Sequence, residues 1–232
     1  MIDEPPRFTP VADARPGDDP WPEMRWPPEP GVELVGSVVT VRAVRPEQDA
    51  PALYAALDDD RVWAHLRDRP HDADALAANL AGRLAAGWHP WLVRLRAARS
   101  GMPAGSVVGV SCYLEASPAD ARLEIGSTSY TPAVWAGAVN PETKLLLLGH
   151  AFETLDAGRV QLKTDVRNTR SQQAIARLGA TYEGTLHRFQ RRADGSVRDT
   201  ALFSITAEQW PDVRRRLRAR LALAPVDRTT SS

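Results

Sequence analysis

The chain has 232 residues, enough to bury the core of one large domain, or of one domain with tails. Lysine plus arginine and aspartate plus glutamate both count 29, and this zero formal charge argues against a general nucleic-acid or anionic-membrane binder. One cysteine, Cys112, excludes an internal disulfide framework and makes no zinc cluster by itself.

Residues 1–36 hold nearly half of the chain's 19 prolines, together with Trp21 and Trp26. Proline at that density blocks helix and sheet, so the segment is expected to be a partly disordered leader. One or both indoles could instead dock on the domain or on a second subunit. The opening MIDEPPRF resembles neither a signal nor a transit peptide. No apolar run approaches a bilayer span, so no membrane is expected and cytoplasm is the default.

A domain is expected over 37–223, with a disordered tail over 224–232. Residues 37–45, rich in valine, read as a first strand and 46–58 as a helix. A short apolar piece follows at 62–66. Residues 72–87 read as a helix with Leu76, Leu80 and Leu84 on one face and Gly87 as the stop. Strands are expected over 91–95 and 106–114, and a third over Arg122–Tyr130.

The next stretch is the most informative. Residues 136–139 are small, and Asn140 and Pro141 suit the N-cap and first position of a helix. Free N–H groups and the helix dipole make such a start an anion site, here for a phosphate-bearing ligand. Along the helix Leu145, Leu148, Phe152 and Leu155 form an apolar stripe, widened by Leu147 and Ala151. Glu142, Lys144, His150 and Glu153 fall off its centre, and Gly158 is placed as a left-handed C-cap. The alternation from Val160 to Val166 then gives a strand, completing a βαβ unit. An ordinary βα turn with close helix packing would read the same way.

A helix over 171–178 follows, with Ala174, Ile175 and Leu178 as its buried face. Residues 182–189 and 197–205 read as a hairpin around Ala193-Asp194-Gly195. The last helix carries Val213, Leu217 and Leu221 on one face. Its arginines, Arg214 to Arg216 with Arg218 and Arg220, read as a solvated face rather than an RNA contact.

In order and spacing these pieces resemble the acetyl-CoA-binding core of the GNAT superfamily of N-acetyltransferases, most nearly its RimJ/RimL-like branch. The residues that carry the likeness are Glu124-Ile125-Gly126, then Trp135 through Glu142, Asn168-Thr169-Arg170-Ser171, and Leu178-Gly179-Ala180 followed by Glu183-Gly184. The likeness extends loosely from about Val38 to Leu217. One place departs: where the family loop carries its first glycine this chain has Ala136, with Gly137 beside it.

The resemblance implies an α+β fold with a mixed, mostly antiparallel sheet of about 6–7 strands flanked by helices. It implies acetyl transfer from acetyl-CoA, as co-substrate, to a primary amine, either a protein N-terminus or a small molecule. Ala136, Gly137, Ala138, Val139 and Asn140, with Trp135, would hold the CoA pyrophosphate. Ser127, Thr128 and Ser129 would line the pantetheine arm, and Asn168 would hydrogen-bond it. Ser171 would protonate the departing thiolate, unless it is only an N-cap.

Glu124 is the candidate base, since it alternates with Leu123 and Ile125 and so shares a face with Gly126 and Thr128. A surface ion pair is the structural alternative, and Glu183 and His187 are reserves. Trp63, His65 and Trp88 are candidate acceptor walls or core residues. No metal is expected, and the protein is expected as a monomer or homodimer. A CoA- or nucleotide-binding module without chemistry is the other class to weigh. Phosphoryl and hydride transfer are disfavoured, because neither a Gly-Lys-[Ser/Thr] loop nor a dinucleotide fingerprint after a first strand is present.

Overall fold

The strand before the small-residue loop lies in the interior of an eight-stranded sheet. The computed structural model describes residues 9–13, 15, 17, 20–66 and 69–223. Its strands are β1 (Glu33–Val35), β2 (Val39–Ala43), β3 (His89–Leu95), β4 (Val107–Ser117), β5 (Arg122–Tyr130), β6 (Arg159–Asp165), β7 (Thr181–Arg191) and β8 (Val197–Thr206). They pair in the order β1-β2-β3-β4-β5-β6-β8-β7. Among the described residues only β5 and β6 pair in parallel, joined through helix α4 (Val139–Glu153) as a parallel crossover requires.

The eighth strand, beyond the expected 6–7, is β1. Its three residues are too few to show a period, and they fall inside the leader expected over 1–36. Residues 21–26 of that leader are packed as well. The Trp21 indole N–H donates to the Asp156 carbonyl at 3.0 Å, and Arg25 pairs with the Asp156 carboxylate at 2.7 Å. Met24 is buried, and Trp26 lies against His89 and Tyr113. The expected tail over 224–232 and the first eight residues lie outside the described residues.

Alternation along the strands separates two cores. Leu123, Ile125, Val160 and Leu162 face α4 and α6 (Trp210–Ala222). On the opposite face Leu92, Val110, Cys112 and Leu114 meet α1 (Pro46–Leu57) and α3 (Ala73–Ala85). The Asp72 carboxylate caps α3 by accepting from the Ala75 N–H, and Gly87 with φ +79° ends the turn. Leu84, expected on the buried stripe, is 38 % exposed. The apolar piece at 62–66 supplies part of a short helix α2 (Asp60–Trp63), capped by Asp59.

Helix α4 departs most from its apolar pattern. Glu142, Lys144 and His150, expected off the stripe, are all buried. Glu142 accepts from the Ser37 N–H and hydroxyl and from the Val38 and Val39 N–H groups, at 2.6–2.8 Å. Four such bonds compensate the burial of a carboxylate and fasten the β1–β2 turn to the first turn of α4. His150 stacks on Tyr113 with its ring 6.0 Å away. The helix ends at Glu153, and Asp156 (φ 60°), not Gly158, takes the left-handed conformation.

Candidate active site

Parallel pairing between β5 and β6 stops at the rung Glu124–Gln161. Beyond it the two strands diverge, and a cleft of about 1280 Å³ opens between them. Ile125, Leu162 and Thr164 line the gap, with α2 and α3 on one side and α4 and α5 (Thr169–Ala176) on the other.

A bulge in β5 shapes the cleft. Cys112 opposes Gly126 and Val110 opposes Ser129, so β5 carries one extra residue, with Ser127 at φ 47°. Glu124, Gly126 and Ser129 therefore share one face. Thr128, expected on that face, turns to α4 instead, because the bulge reverses the alternation. Glycine at 126 leaves room for the carboxylate, since a Cβ there would lie 2.5 Å from Glu124 Oε1.

One end of the cleft is the loop before α4. The backbone N–H groups of Ala136, Ala138, Val139 and Asn140 find no hydrogen-bond partner among the described residues. The N-cap is Ala138 with no side-chain bond, not Asn140, which is the second helical residue. An uncapped start leaves those donors free for an anion. Ala136 has φ 60°, the left-handed conformation that glycine favours, so the alanine keeps a glycine's backbone there. Trp135 is fixed by its indole N–H on the Tyr130 carbonyl at 2.8 Å, with the Arg170 guanidinium 3.8 Å from its ring centre.

At the other end Glu124 is 5 % exposed. Burial raises its pKa, opposed by Lys163, whose Nζ stands 2.8 Å from Oε2. Lys163 also binds Glu115 at 2.8 Å. The reserves lie outside the cleft lining. Glu183 is chelated by Arg159 at 2.6 Å, which holds its pKa low, and His187 is exposed beside Asp199.

Lys144 lines the cleft and was not singled out in the sequence as a site residue. It reaches from α4 under the bulge, donating to Thr128 Oγ1 at 2.7 Å and Ser111 Oγ at 3.1 Å. Among the described residues it has no carboxylate in contact, and burial lowers its pKa to about 7.

Asn168 and Ser171 both line the cleft, but the cap assignment is exchanged. Asn168 is the N-cap of α5, its Oδ1 accepting from the Ser171 N–H at 3.0 Å. The helix starts at Thr169, two residues before the expected 171, and the Ser171 hydroxyl is not the cap. Trp63, His65 and Trp88 line the α2–α3 side. The Trp63 indole N–H is tied to the Leu57 carbonyl at 2.8 Å, and Arg83 lies over Trp88. Among the described residues no group of three or more His, Cys, Asp or Glu side chains is placed to hold a metal ion. No helix among them is long and apolar enough to cross a membrane.

The family model for the acetyltransferase (GNAT) domain matches residues 39–181. The chain belongs to the GNAT family. It is an acetyl-CoA-dependent acyltransferase with the mixed sheet of that fold. A protein from T. thermophilus assigned as an acetyltransferase is 36 % identical, with TM-score 0.73 over 85 % of this chain and 100 % of that one. A protein of Chromobacterium violaceum assigned to the GNAT family is 27 % identical, with TM-score 0.75 over 89 % and 99 %. RimJ of Mycobacterium smegmatis, solved in complex with CoA-disulfide, shares the fold at 23 % identity and TM-score 0.67, over 78 % and 88 %. Among curated proteins none matches this GNAT chain.

Proposed function

We propose that this acyltransferase moves an acetyl group from acetyl-CoA to a primary amine by direct attack within the β5–β6 cleft. The observation that carries the reading is the divergence of β5 from β6 at Glu124. It places a buried carboxylate at one end of a slot whose other end holds the unpartnered N–H groups of the α4 start.

The loop fits the CoA pyrophosphate on those free donors and on the left-handed backbone at Ala136. Ser127 to Tyr130, unpaired on the β6 side, would take the pantetheine arm as an added strand. Asn168 uses Oδ1 for its cap, which leaves its amide N–H groups for that arm. Lys144 supplies a buried positive charge beside Thr128, where an anionic ligand would find little water to compete with.

An amine near neutral pH is mostly ammonium, and only the neutral form has the lone pair that attacks a thioester. Glu124, with its pKa raised by burial, takes that proton. The nitrogen bonds to the acetyl carbon, the carbon–sulfur bond breaks, and the CoA thiolate leaves. The Ser171 hydroxyl, on the cleft and not spent as a cap, donates its proton to that thiolate and recovers one from the acylated nitrogen, so the products are the amide and the CoA thiol.

The test is CoA-thiol release from acetyl-CoA with and without a panel of amines, beside calorimetric binding of CoA. Amine-dependent release supports the reading. Tight CoA binding with no amine-dependent release across the panel contradicts it.

A further inference from the structure

The α3 side of the cleft has its own chemistry. Asn79 and Arg83 stand one helical turn apart on α3, and both line the cleft. Asn79 Oδ1 is buried without a hydrogen-bond partner among the described residues. A buried acceptor oxygen left unpaired costs free energy, which a buried water or a turn of the Asn79 side chain toward the cleft would relieve.

Arg83 gives one N–H to Ser127 Oγ at 2.8 Å, and its guanidinium lies 5.4 Å from the Trp88 ring centre. Among the described residues it has no carboxylate partner, in contrast to Arg42, Arg159 and Arg192. A guanidinium carries five N–H donors in a planar fork, so most of its capacity remains for an anion. Its partner Ser127 stands on β5, three residues from Glu124 and nine from Ala136 in the loop before α4. Arg170, over Trp135, stands beside that loop instead.

The carboxylates lining the cleft are Glu124, Asp165 and Asp194. Lys163 holds the first and Arg192 the second, while Asp194 accepts from the Ser196 N–H in the β7–β8 turn. Among the described residues that line the cleft, no carboxylate on the α2–α3 side is free to receive a second positive charge. A polyamine or aminoglycoside would be poorly matched there, whereas an anionic group is well matched.

We propose that the acceptor is an amine that also carries a carboxylate. Arg83 binds the carboxylate. The inference rests on the acetyl-transfer reading and names its substrate class.

Matched amines that differ only in bearing a carboxylate or a carboxamide, such as an amino acid and its amide, test it by CoA-thiol release. The wild type favours the acid over the amide in kcat/KM. In Arg83→Gln that acid-to-amide ratio falls by roughly tenfold or more, chiefly through KM for the acid. Arg83→Lys recovers part of it. Using the ratio within each variant cancels differences in amine basicity and any loss of folding or CoA binding. An unchanged ratio in Arg83→Gln, or a wild type that acetylates cationic polyamines faster than any acid, overturns the inference alone. Absence of turnover with every amine overturns the acetyl-transfer reading together with it.

Discussion

Lys163 Nζ lies 2.8 Å from Glu124 Oε2, and the two side chains are 7 % and 6 % exposed. Burial raises the carboxylate's pKa and the lysine restrains that rise. Lys163→Met removes the restraint. If Glu124 is the base, the acidic limb of the pH–rate profile then moves to higher pH, because the carboxylate stays protonated further up the scale. A limb that does not move, or that moves down, separates Glu124 from the limb.

In the loop, a Cβ on Gly137 would meet the Val134 carbonyl at 3.3 Å, and a β-branched side chain would add bulk beside the free N–H groups. Gly137→Val is expected to weaken CoA binding at least tenfold, a loss of about 1.4 kcal/mol, with Tm nearly unchanged. Ala136→Gly keeps the left-handed backbone without a methyl and is expected to bind CoA at least as tightly. Calorimetric titration of both variants checks the pair. Unchanged affinity in Gly137→Val would move the phosphates elsewhere.

Lys144 sets stability against binding. Its folded pKa, about 7, lies below that of an unfolded lysine, so the unfolded chain binds more protons between the two values. The cost of the buried ammonium is full below about pH 7 and fades as pH rises toward 10. The Ser111 and Thr128 hydroxyls also bond each other, at 2.7 Å, so each keeps a partner in Lys144→Met. The variant is therefore expected to gain Tm, more at pH 6.5 than at pH 9, and to lose CoA affinity. Thermal melts at the two pH values with CoA titrations check both halves. A lower Tm at pH 6.5 would contradict the stability half, and undiminished affinity the binding half.

The fold was legible where a period was long enough to read. The β5–α4–β6 unit and the β7–β8 hairpin follow from alternation and from turn residues. Three-residue β1 had no period to show, and its pairing with β2 is set by tertiary contact. Of the candidate site, the loop before α4 was legible as a helix start with free backbone N–H groups, which the structure has at Ala136 and Ala138 to Asn140 among the described residues. The site was illegible where a polar side chain on a helix is buried. Glu142 and Lys144 look like solvent-facing residues in an apolar repeat, and only the β1–β2 turn and the β5 bulge give them partners. Arg83 was hidden in the same way, since α3 reads as a plain amphipathic helix and Ser127 is distant in sequence. The glycine expected to end α4 was displaced because Asp156 takes the left-handed turn, and the Trp21 indole packs over Gly158 instead.

Two histidines set an acid limit on stability. His89 and His150 are each held at a pKa of about 4 by burial, with His150 adding to the effect on His89. In the unfolded chain both take protons near pH 6.5. The unfolded chain thus binds more protons between about 6.5 and 4, so stability is full above that window and falls as pH drops through it. Melts from pH 7.5 to 4.5 should show a falling Tm, with a shallower fall in the His89→Gln, His150→Gln double variant. A Tm flat from pH 6.5 to 5 would contradict this.

The assignment of Glu124 as the proton acceptor is tested most directly by kcat/KM against pH for wild type and Glu124→Gln, with an amine that the wild type acetylates. Turnover in the variant is expected to fall by roughly 100-fold or more. The acidic limb should vanish and the Kd for acetyl-CoA should stay close to the wild-type value. Wild-type turnover with the same acidic limb would contradict the account, and would give the proton to water or to another group.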